Sequence, residues 1–305
     1  MRKHIRLSLV AIAMLSGLAV PAYAQSDLSG QWQAFNQQDA RTRGPGPDLA
    51  DFLGIPLNEE GRAVALTYAY SMISMPERMC MDWSENYIAF APHNIMIDRV
   101  SDPATGTAQA WMVSAGGSDR APIPIWMDGR PRLPAYELHT FSGYTLGQWD
   151  GPVLRGYMTH MKFGTASRNG APISDQSTMT INLVRHGDIL TIMTVTEDPI
   201  YFESPHVQAG VYRLNPLGNT SPVNAPCYSL TEIPRLEEPG TVPHYLPGTN
   251  PNEETFAQRW NLPTEAAHGG AQTMYPEFRK KLQGYTPPPP CRYDRQQNCI
   301  LTGSK

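Results

Sequence analysis

The segment from Ser177 to Thr196 reads STMTINLVRHGDILTIMTVT, and it carries the clearest fold signal in the chain. Two β-type runs, residues 180–186 and 189–195, flank Gly187-Asp188, a two-residue sequence typical of a tight β-hairpin. Similar short runs alternate with turn residues from Gly143 to Leu214. This close spacing favours an antiparallel meander over βαβ units. We therefore predict a mainly β fold in which the meander closes as a barrel or a sandwich.

Residues 1–24 have the pattern of a secretory signal peptide. A basic start is followed by an apolar run over residues 7–20 and by the small-x-small cleavage sequence Ala22-Tyr23-Ala24. An uncleaved anchor is the alternative, but an apolar run of about 14 residues is short for a bilayer span. We expect cleavage, no membrane span in the mature chain, and a periplasmic or secreted location.

The charge of the chain argues against a nucleic-acid partner. The full sequence has a formal net charge of −4, and loss of Arg2, Lys3 and Arg6 with the signal leaves −7. No basic block of the kind that binds a phosphate backbone follows the signal. Nucleic-acid binding is therefore not expected.

All four cysteines lie in the exported part of the chain. An even count in an oxidising compartment predicts disulfides before it predicts chemistry. Cys291 and Cys299 close a short loop and form the natural local pair, which leaves Cys80 with Cys227, although the other two pairings stay formally possible. There is no Cys-x-x-Cys sequence, so a zinc or redox site of that type is not expected.

Composition divides the exported chain into residues 25–216 and 217–305. The first region holds the β-type runs and is predicted to form the barrel domain. The second is rich in proline, including Pro287–Pro290, with helical patches near residues 254–260 and 276–282. A bare disordered tail would rarely carry as many aromatic residues, so we expect a wrapping tail. This tail could act as a lid over the barrel mouth or simply pack on the surface.

Several short motifs follow one another between residues 27 and 216, and through them the chain resembles a family of exported, largely uncharacterised proteins of soil bacteria. The motifs are Asp27–Trp32, Asp128–Arg130, Gly143–Gly151, Thr159-His160, Asn169–Asp175, Arg185–Thr191 and Thr196–Pro199. The resemblance implies a lipocalin- or calycin-like β architecture and an extracytoplasmic location. Lipocalin-type barrels often begin with a similar Gly-x-Trp sequence, here Gly30 to Trp32, whose tryptophan plugs one end. The resemblance implies no activity.

The sequence lacks the common catalytic motifs. It contains no Gly-x-Ser-x-Gly, His-Glu-x-x-His, P-loop or Rossmann glycine pattern, which disfavours hydrolases of that type, zincins and nucleotide-dependent enzymes. No pair of histidines has helical ligand spacing, and we expect neither a metal nor a cofactor. Cofactor-free chemistry or plain binding remains.

His160 is the leading candidate for a catalytic base. In a strand over Val153 to Met161 it shares a face with Leu154 and Met158, because side chains alternate along a strand. On an apolar barrel face, desolvation would favour the neutral ring and keep a base available near pH 7. The alternative is an ordinary core histidine. His139 is predicted to meet His160 across the sheet, or else to be a half-exposed strand residue.

Asp198, at the end of a strand, could orient a histidine in an acid/base dyad or cap its own turn. Arg130 could pair with a carboxylate in either a ligand or the protein. Aromatic rings in the β region suit a ring-bearing ligand, although each of them could equally belong to a packed core. The aromatic candidates for substrate binding are Tyr157, Trp149, Tyr144 and Trp111.

Three functions are consistent with these patterns. The first is an exported, cofactor-independent enzyme that performs elimination, isomerisation, hydration or ether/ester cleavage on a small hydrophobic or aromatic compound. The second is a non-catalytic periplasmic binding or carrier protein for such a compound. The third is a structural envelope protein, for which a filled barrel would be the deciding observation.

Overall fold

The structure is a computed structural model. It describes residues 26–35, 47, 50–67, 84–89, 94–115, 122–167, 169–218, 245–246, 248–282, 284, 291–293 and 299–301. The predicted signal peptide, Cys80 and Cys227 lie outside the described residues.

Thirteen strands are described, of which nine form a closed barrel. In chain order they are β1 (Gly30–Ala34), β2 (Ile95–Ser101), β3 (Ala108–Ala115), β4 (Ile123–Trp126), β5 (Tyr144–Asp150), β6 (Val153–Thr159), β7 (Gly164–Thr165), β8 (Pro172–Ile173), β9 (Thr178–His186), β10 (Ile189–Glu197), β11 (His206–Leu214), β12 (Cys291–Tyr293) and β13 (Cys299–Leu301). The order around the barrel is β1-β11-β10-β9-β6-β5-β4-β3-β2, and β1 pairs with β2 to close it. The two remaining strand pairs, β7-β8 and β12-β13, lie outside the barrel. The prediction of a mainly β, lipocalin-like barrel is confirmed.

One pair of barrel strands, β4 and β5, runs parallel, with Ile125 opposite Thr145. Nine strands around a closed ring cannot alternate in direction throughout, so one parallel pair is required. A parallel pair cannot be joined by a tight hairpin, and residues 127–143 make the long return to the start of β5. Within this return, residues 136–143 form turns, and the strand begins only at Tyr144.

The predicted hairpin at Gly187-Asp188 is confirmed. His186 of β9 pairs with Ile189 of β10, and Gly187 has a φ of +59°, which a glycine adopts without strain. Along both strands the inward side chains alternate with outward ones, as a half-buried strand requires.

Apolar side chains fill much of the barrel interior. They include Leu28, Trp32, Ile95, Ile97, Trp111, Val113, Ile125, Leu154, Met158, Ile181, Leu183, Leu190, Ile192 and Tyr212. Trp32 is fully buried, and its indole N–H donates to the Leu28 carbonyl at 3.0 Å. The Arg185 guanidinium lies 5.2 Å from the Trp32 ring centroid and donates to the Asp27 carbonyl. Trp32 thus plugs the end of the barrel at which β1 begins, and we name this end the Trp32 end.

A second, smaller core lies outside the barrel beside the helix α1 (Glu59–Leu66). Asn58 caps the start of this helix, because its side chain accepts a hydrogen bond from the Gly61 amide at 2.8 Å. The tail helices α2 (Thr255–Trp260), α3 (Thr264–His268) and α4 (Pro276–Lys280) follow the barrel in sequence.

The described part of the tail packs on this second core. Asn250 donates to the Leu66 carbonyl at 2.7 Å, and the His268 ring lies 5.8 Å from that of Phe52. An open cavity of about 300 Å³ lies between α1 and the tail, lined by Glu59, Arg62, Ala63, Leu66, Gly248 and His268. These contacts match the surface-packing alternative for the tail.

The local cysteine pair lies in the β12-β13 ribbon. Cys291 is opposite Leu301, and Cys299 is opposite Tyr293, so the two cysteines are offset by two residues rather than directly paired. The predicted Cys291–Cys299 disulfide stays a prediction. Among the described helices, none has the length and apolar character needed to cross a membrane.

Candidate functional site

His160 does not occupy the position that strand alternation predicts. Strand β6 ends at Thr159, and His160 has a φ of +57°, in the left-handed region that β-strands do not use. The backbone therefore turns at His160, and Met161 takes the buried position. The prediction that the His160 imidazole points into the barrel is wrong.

Both nitrogens of His160 have partners at the barrel rim. Nδ1 lies 2.8 Å from the Thr159 hydroxyl, and Nε2 lies 3.0 Å from the Pro134 carbonyl. A neutral ring with its proton on Nε2 donates to Pro134 and accepts from Thr159, an assignment that follows from the partners. The half-buried ring thereby fixes the connection between β4 and β5.

His139 meets His160, although not across a sheet. The ring centroids are 5.1 Å apart, and His139 Nδ1 lies 2.8 Å from the Met161 carbonyl, to which it donates. The only bridge between these segments is the isolated parallel pair Thr140 and Met161. The two histidines thus form a pair on the outer rim.

Asp198 is buried and acts as a turn cap. Its carboxylate accepts hydrogen bonds from the Ser174 amide at 2.6 Å, the Ser174 hydroxyl at 2.8 Å, the Ile200 amide at 2.9 Å and the Tyr201 amide at 3.1 Å. Within the described residues, none of its hydrogen bonds reaches His160 or His139. This geometry matches the second interpretation of Asp198, in which it caps its own turn, and the carboxylate also links that turn to β8.

The aromatic candidates are divided between the two sides of the barrel wall. Trp111 and Trp149 face inward, with ring centroids 6.4 Å apart in an edge-to-face arrangement. Tyr144 and Tyr157 face outward: the Tyr144 hydroxyl donates to the Pro131 carbonyl at 2.7 Å, and Tyr157 is 39% exposed. These four residues therefore do not line one pocket.

Arg130 belongs to a local surface cluster. Its guanidinium lies 2.7 Å from the Asp128 carboxylate and 3.4 Å from the Trp126 ring centroid. The hydrogen bond from Arg130 lowers the pKa of Asp128 to about 2. Arg130 is thus the structural ion-pair partner that the sequence allowed as an alternative.

A different group of polar residues converges inside the barrel at the end opposite Trp32. Thr194 and Thr196 follow Leu190 and Ile192 on the inward face of β10 and are almost fully buried. Opposite them on β11 lie Gln208, which pairs with Thr194, and His206, which pairs with Thr196. The Asn86 amide donates to the Gln208 side-chain oxygen at 3.4 Å. We name these five residues, Asn86, Thr194, Thr196, His206 and Gln208, the polar end.

Four atoms of the polar end are buried and make no hydrogen bond in the described part of the chain. They are Asn86 Oδ1, Thr194 Oγ1, Thr196 Oγ1 and His206 Nδ1. Outside the polar end, Ser84 Oγ, Trp111 Nε1, Thr145 Oγ1 and Ser167 Oγ are similarly placed. Most buried polar atoms in folded proteins are paired, so a group of four on two adjacent strands and their cover calls for an explanation.

Burial holds His206 in its neutral form. The side chain is 9% exposed and packs edge-on against Phe202, with ring centroids 5.8 Å apart. This burial lowers the pKa of His206 to about 4, because the charged ring is poorly solvated there. At neutral pH one ring nitrogen therefore carries a proton and the other is an acceptor.

The segment Ser84–Ala89, which we name the cap, closes the polar end. It contains a 3-10 helix over Glu85–Ala89, and it places Ile88 and Ala89 in the barrel core. The Tyr212 hydroxyl donates to the Ile88 carbonyl at 2.6 Å. At Gly210 a Cβ would overlap the Ala89 carbonyl oxygen, so only glycine allows the cap to lie this close.

Sequence reasoning missed the polar end, although a signal for it exists. The alternation His206, Gln208, Gly210, Tyr212 places the histidine on the same face as a buried tyrosine. A strand prediction that began at His206 would have included this histidine. The contribution of Asn86 had no such signal, because a residue of a separate segment reaches the site only through tertiary packing.

No protein-family model, curated protein or solved structure matches this chain. Among the described residues, no three side chains of the types that bind metals come together. The site is therefore interpreted from its own geometry.

Proposed function

We propose that this protein binds a small hydrophobic or aromatic molecule and holds its polar group at the polar end of the barrel. The observation that carries this proposal is the group of four buried, unpartnered polar atoms on Asn86, Thr194, Thr196 and His206. A buried polar atom without a partner costs about 1–3 kcal/mol, and a ligand that pairs with it removes that cost.

The packing of the barrel supports binding at this end rather than in the middle. Large side chains occupy the interior from Trp32 to Met158, and this filling also fits the alternative of a structural envelope protein. The polar end borders this packing, because Met179 pairs with both Met158 and Thr196, and the described cap residues cover it. The ligand enters in this proposal by displacement of the cap, and its apolar part lies against Ile88 and the neighbouring core.

The proposal includes export. The signal-like residues 1–24, the even number of cysteines and the resemblance to exported proteins support a periplasmic or secreted binding protein with disulfides. A carrier in this location would meet small hydrophobic molecules before they enter the cell.

A second function, cofactor-independent acid/base catalysis, is supported by one observation at the same site. Burial keeps His206 neutral at pH 7, and a neutral imidazole is able to accept a proton. His160, Asp198 and His139 support catalysis less well, because the partners described above already engage them. An isomerase or lyase reaction would therefore use His206 as its base.

The test begins with the chain purified from the periplasm, followed by native mass spectrometry for a co-purifying molecule. We expect a bound molecule in the wild type and in Thr191→Val, which alters the outward face of β10, and less of it in Thr196→Val. Recovery of the molecule intact after incubation supports a carrier, whereas conversion that His206→Gln abolishes supports the enzyme. Equal occupancy in all three proteins would show that the polar end is not the binding site.

A further inference from the structure

The chemistry of the polar end selects the class of ligand. The Asn86 amide nitrogen donates to the Gln208 side-chain oxygen, and this contact fixes the orientation of the amide. Asn86 Oδ1, an amide oxygen, is left as an acceptor. The neutral His206 ring adds a second acceptor when its proton is on Nε2, and the threonine hydroxyls both donate and accept. A ligand group that donates a hydrogen bond therefore finds partners here.

An anionic ligand group finds no counter-charge at this site. Neither the cap nor the polar end contains Lys or Arg, and the cap carries one carboxylic acid, Glu85. Glu85 is itself buried, with 2% of its surface exposed. Transfer of a carboxylate from water to such a site is unfavourable unless a cation pairs with it.

We propose that the ligand is an uncharged molecule with an apolar body and a hydroxyl or secondary amide group, which donates one hydrogen bond to Asn86 Oδ1 or His206 Nδ1 and accepts one from the Thr196 hydroxyl. An alcohol, a phenol or a secondary amide meets this description, whereas a fatty acid or an aromatic acid does not. The inference rests on the proposed binding function and adds the identity of the polar group.

Three probes of one shape test the inference by titration calorimetry on the full exported chain. They are 4-hexylphenol, 4-hexylbenzoate at pH 8 and hexylbenzene, which differ in the polar group alone. We expect the phenol to bind about tenfold or more tightly than hexylbenzene, as expected for one or two net hydrogen bonds, and the benzoate to bind more weakly than either.

Variants show which side chains cause the preference for the phenol over hexylbenzene. Thr196→Val keeps the shape of the side chain and removes one hydroxyl, and Asn86→Leu removes the acceptor. Both are expected to lower the preference for the phenol over hexylbenzene while leaving hexylbenzene binding within about twofold, whereas Thr191→Val on the opposite face of β10 changes neither. If Asn86→Leu does not fold, the comparison of Thr196→Val with Thr191→Val remains.

The outcomes separate the two proposals. Binding of none of the probes would overturn the proposed function together with this inference. Tighter binding of the benzoate, equal binding of all three, or a phenol preference that survives in Thr196→Val and Asn86→Leu would overturn the inference alone. A phenol preference that these two variants reduce supports both.

Discussion

The two ends of the barrel are built by the same strands, but they differ in whether their buried polar atoms have hydrogen-bond partners. At the Trp32 end, the buried indole N–H donates to Leu28, and the guanidinium of Arg185 covers the ring and donates to Asp27. At the polar end, Thr194, Thr196 and His206 lie equally deep, and the atoms named above have no partner in the described chain. The Trp32 end has the properties of a structural plug, and the polar end has those of a site prepared for another molecule.

The largest expected effect concerns the plug. Trp32→Ala removes a fully buried aromatic side chain from the core and leaves a cavity, which costs about 3–5 kcal/mol of unfolding free energy. Urea denaturation measures this loss, and Trp126→Ala on the outer face of β4 is the control, with a much smaller expected loss. A loss below about 1 kcal/mol for Trp32→Ala would contradict its role as a plug and weaken the contrast between the ends.

The second prediction concerns the pH dependence that the polar end gives to stability. The pKa of His206 is about 4 in the folded chain and close to 6.5 when it is unfolded, so between these values only the unfolded state binds the proton. The contribution of neutral His206 to the free energy of unfolding is therefore complete above pH 6.5. It falls by about 3 kcal/mol as the pH decreases to 4.

Urea denaturation at a series of pH values measures this loss. The difference between the wild type and His206→Phe isolates it from the titration of the acidic residues, because the variant keeps all of them. We expect the wild type to lose more stability than the variant over this range. Parallel pH profiles for the two proteins would show that His206 is not held neutral.

The third prediction concerns the cap, which covers the polar end, whereas the side chain of Trp32 fills the other end. Gly210→Ala places a methyl group where the Ala89 carbonyl lies, so the cap must shift, and we expect a loss of about 1–3 kcal/mol. Hydrogen–deuterium exchange of the peptide containing residues 84–89 is expected to increase. Gly156→Ala is a control, because its methyl group meets side-chain atoms of Thr145 and Ile181 inside the barrel rather than the cap. Equal exchange of this peptide in the wild type and in Gly210→Ala would contradict the close approach.

Local sequence patterns predicted the mainly β class and the β9-β10 hairpin, whereas the plug was expected only from the resemblance to lipocalin-type barrels. The hairpin at Gly187-Asp188 depends on residues close to one another in the chain. Alternation and capping are properties of a few consecutive residues, and they predict structure wherever nothing distant overrides them.

The site could not be predicted in the same way, because it depends on closure of the barrel. Strand alternation gave His160 an inward position, but the strand ended one residue earlier, where the backbone turned to meet Pro134. The parallel pairing of β4 and β5 sets the path of residues 127–143, which contain Pro134. This pairing follows from the odd number of barrel strands rather than from any motif. The approach of Asn86 to Gln208 joins residues more than a hundred positions apart.

The smallest expected change in stability, that of Thr196→Val, tests the difference between the two ends of the barrel most directly. Thr196→Val replaces a buried hydroxyl that has no partner with a methyl group of the same shape, so we expect stability to be unchanged or to rise by up to about 1 kcal/mol. Thr191→Val, on the outward face of the same strand, measures the intrinsic effect of the substitution. If Thr196→Val gains stability relative to Thr191→Val and loses the bound molecule, the hydroxyl is retained for binding at the expense of stability, as functional sites commonly require. A loss of more than about 1 kcal/mol relative to the control would instead mean that the hydroxyl has a structural partner, and the polar end would then resemble the Trp32 end.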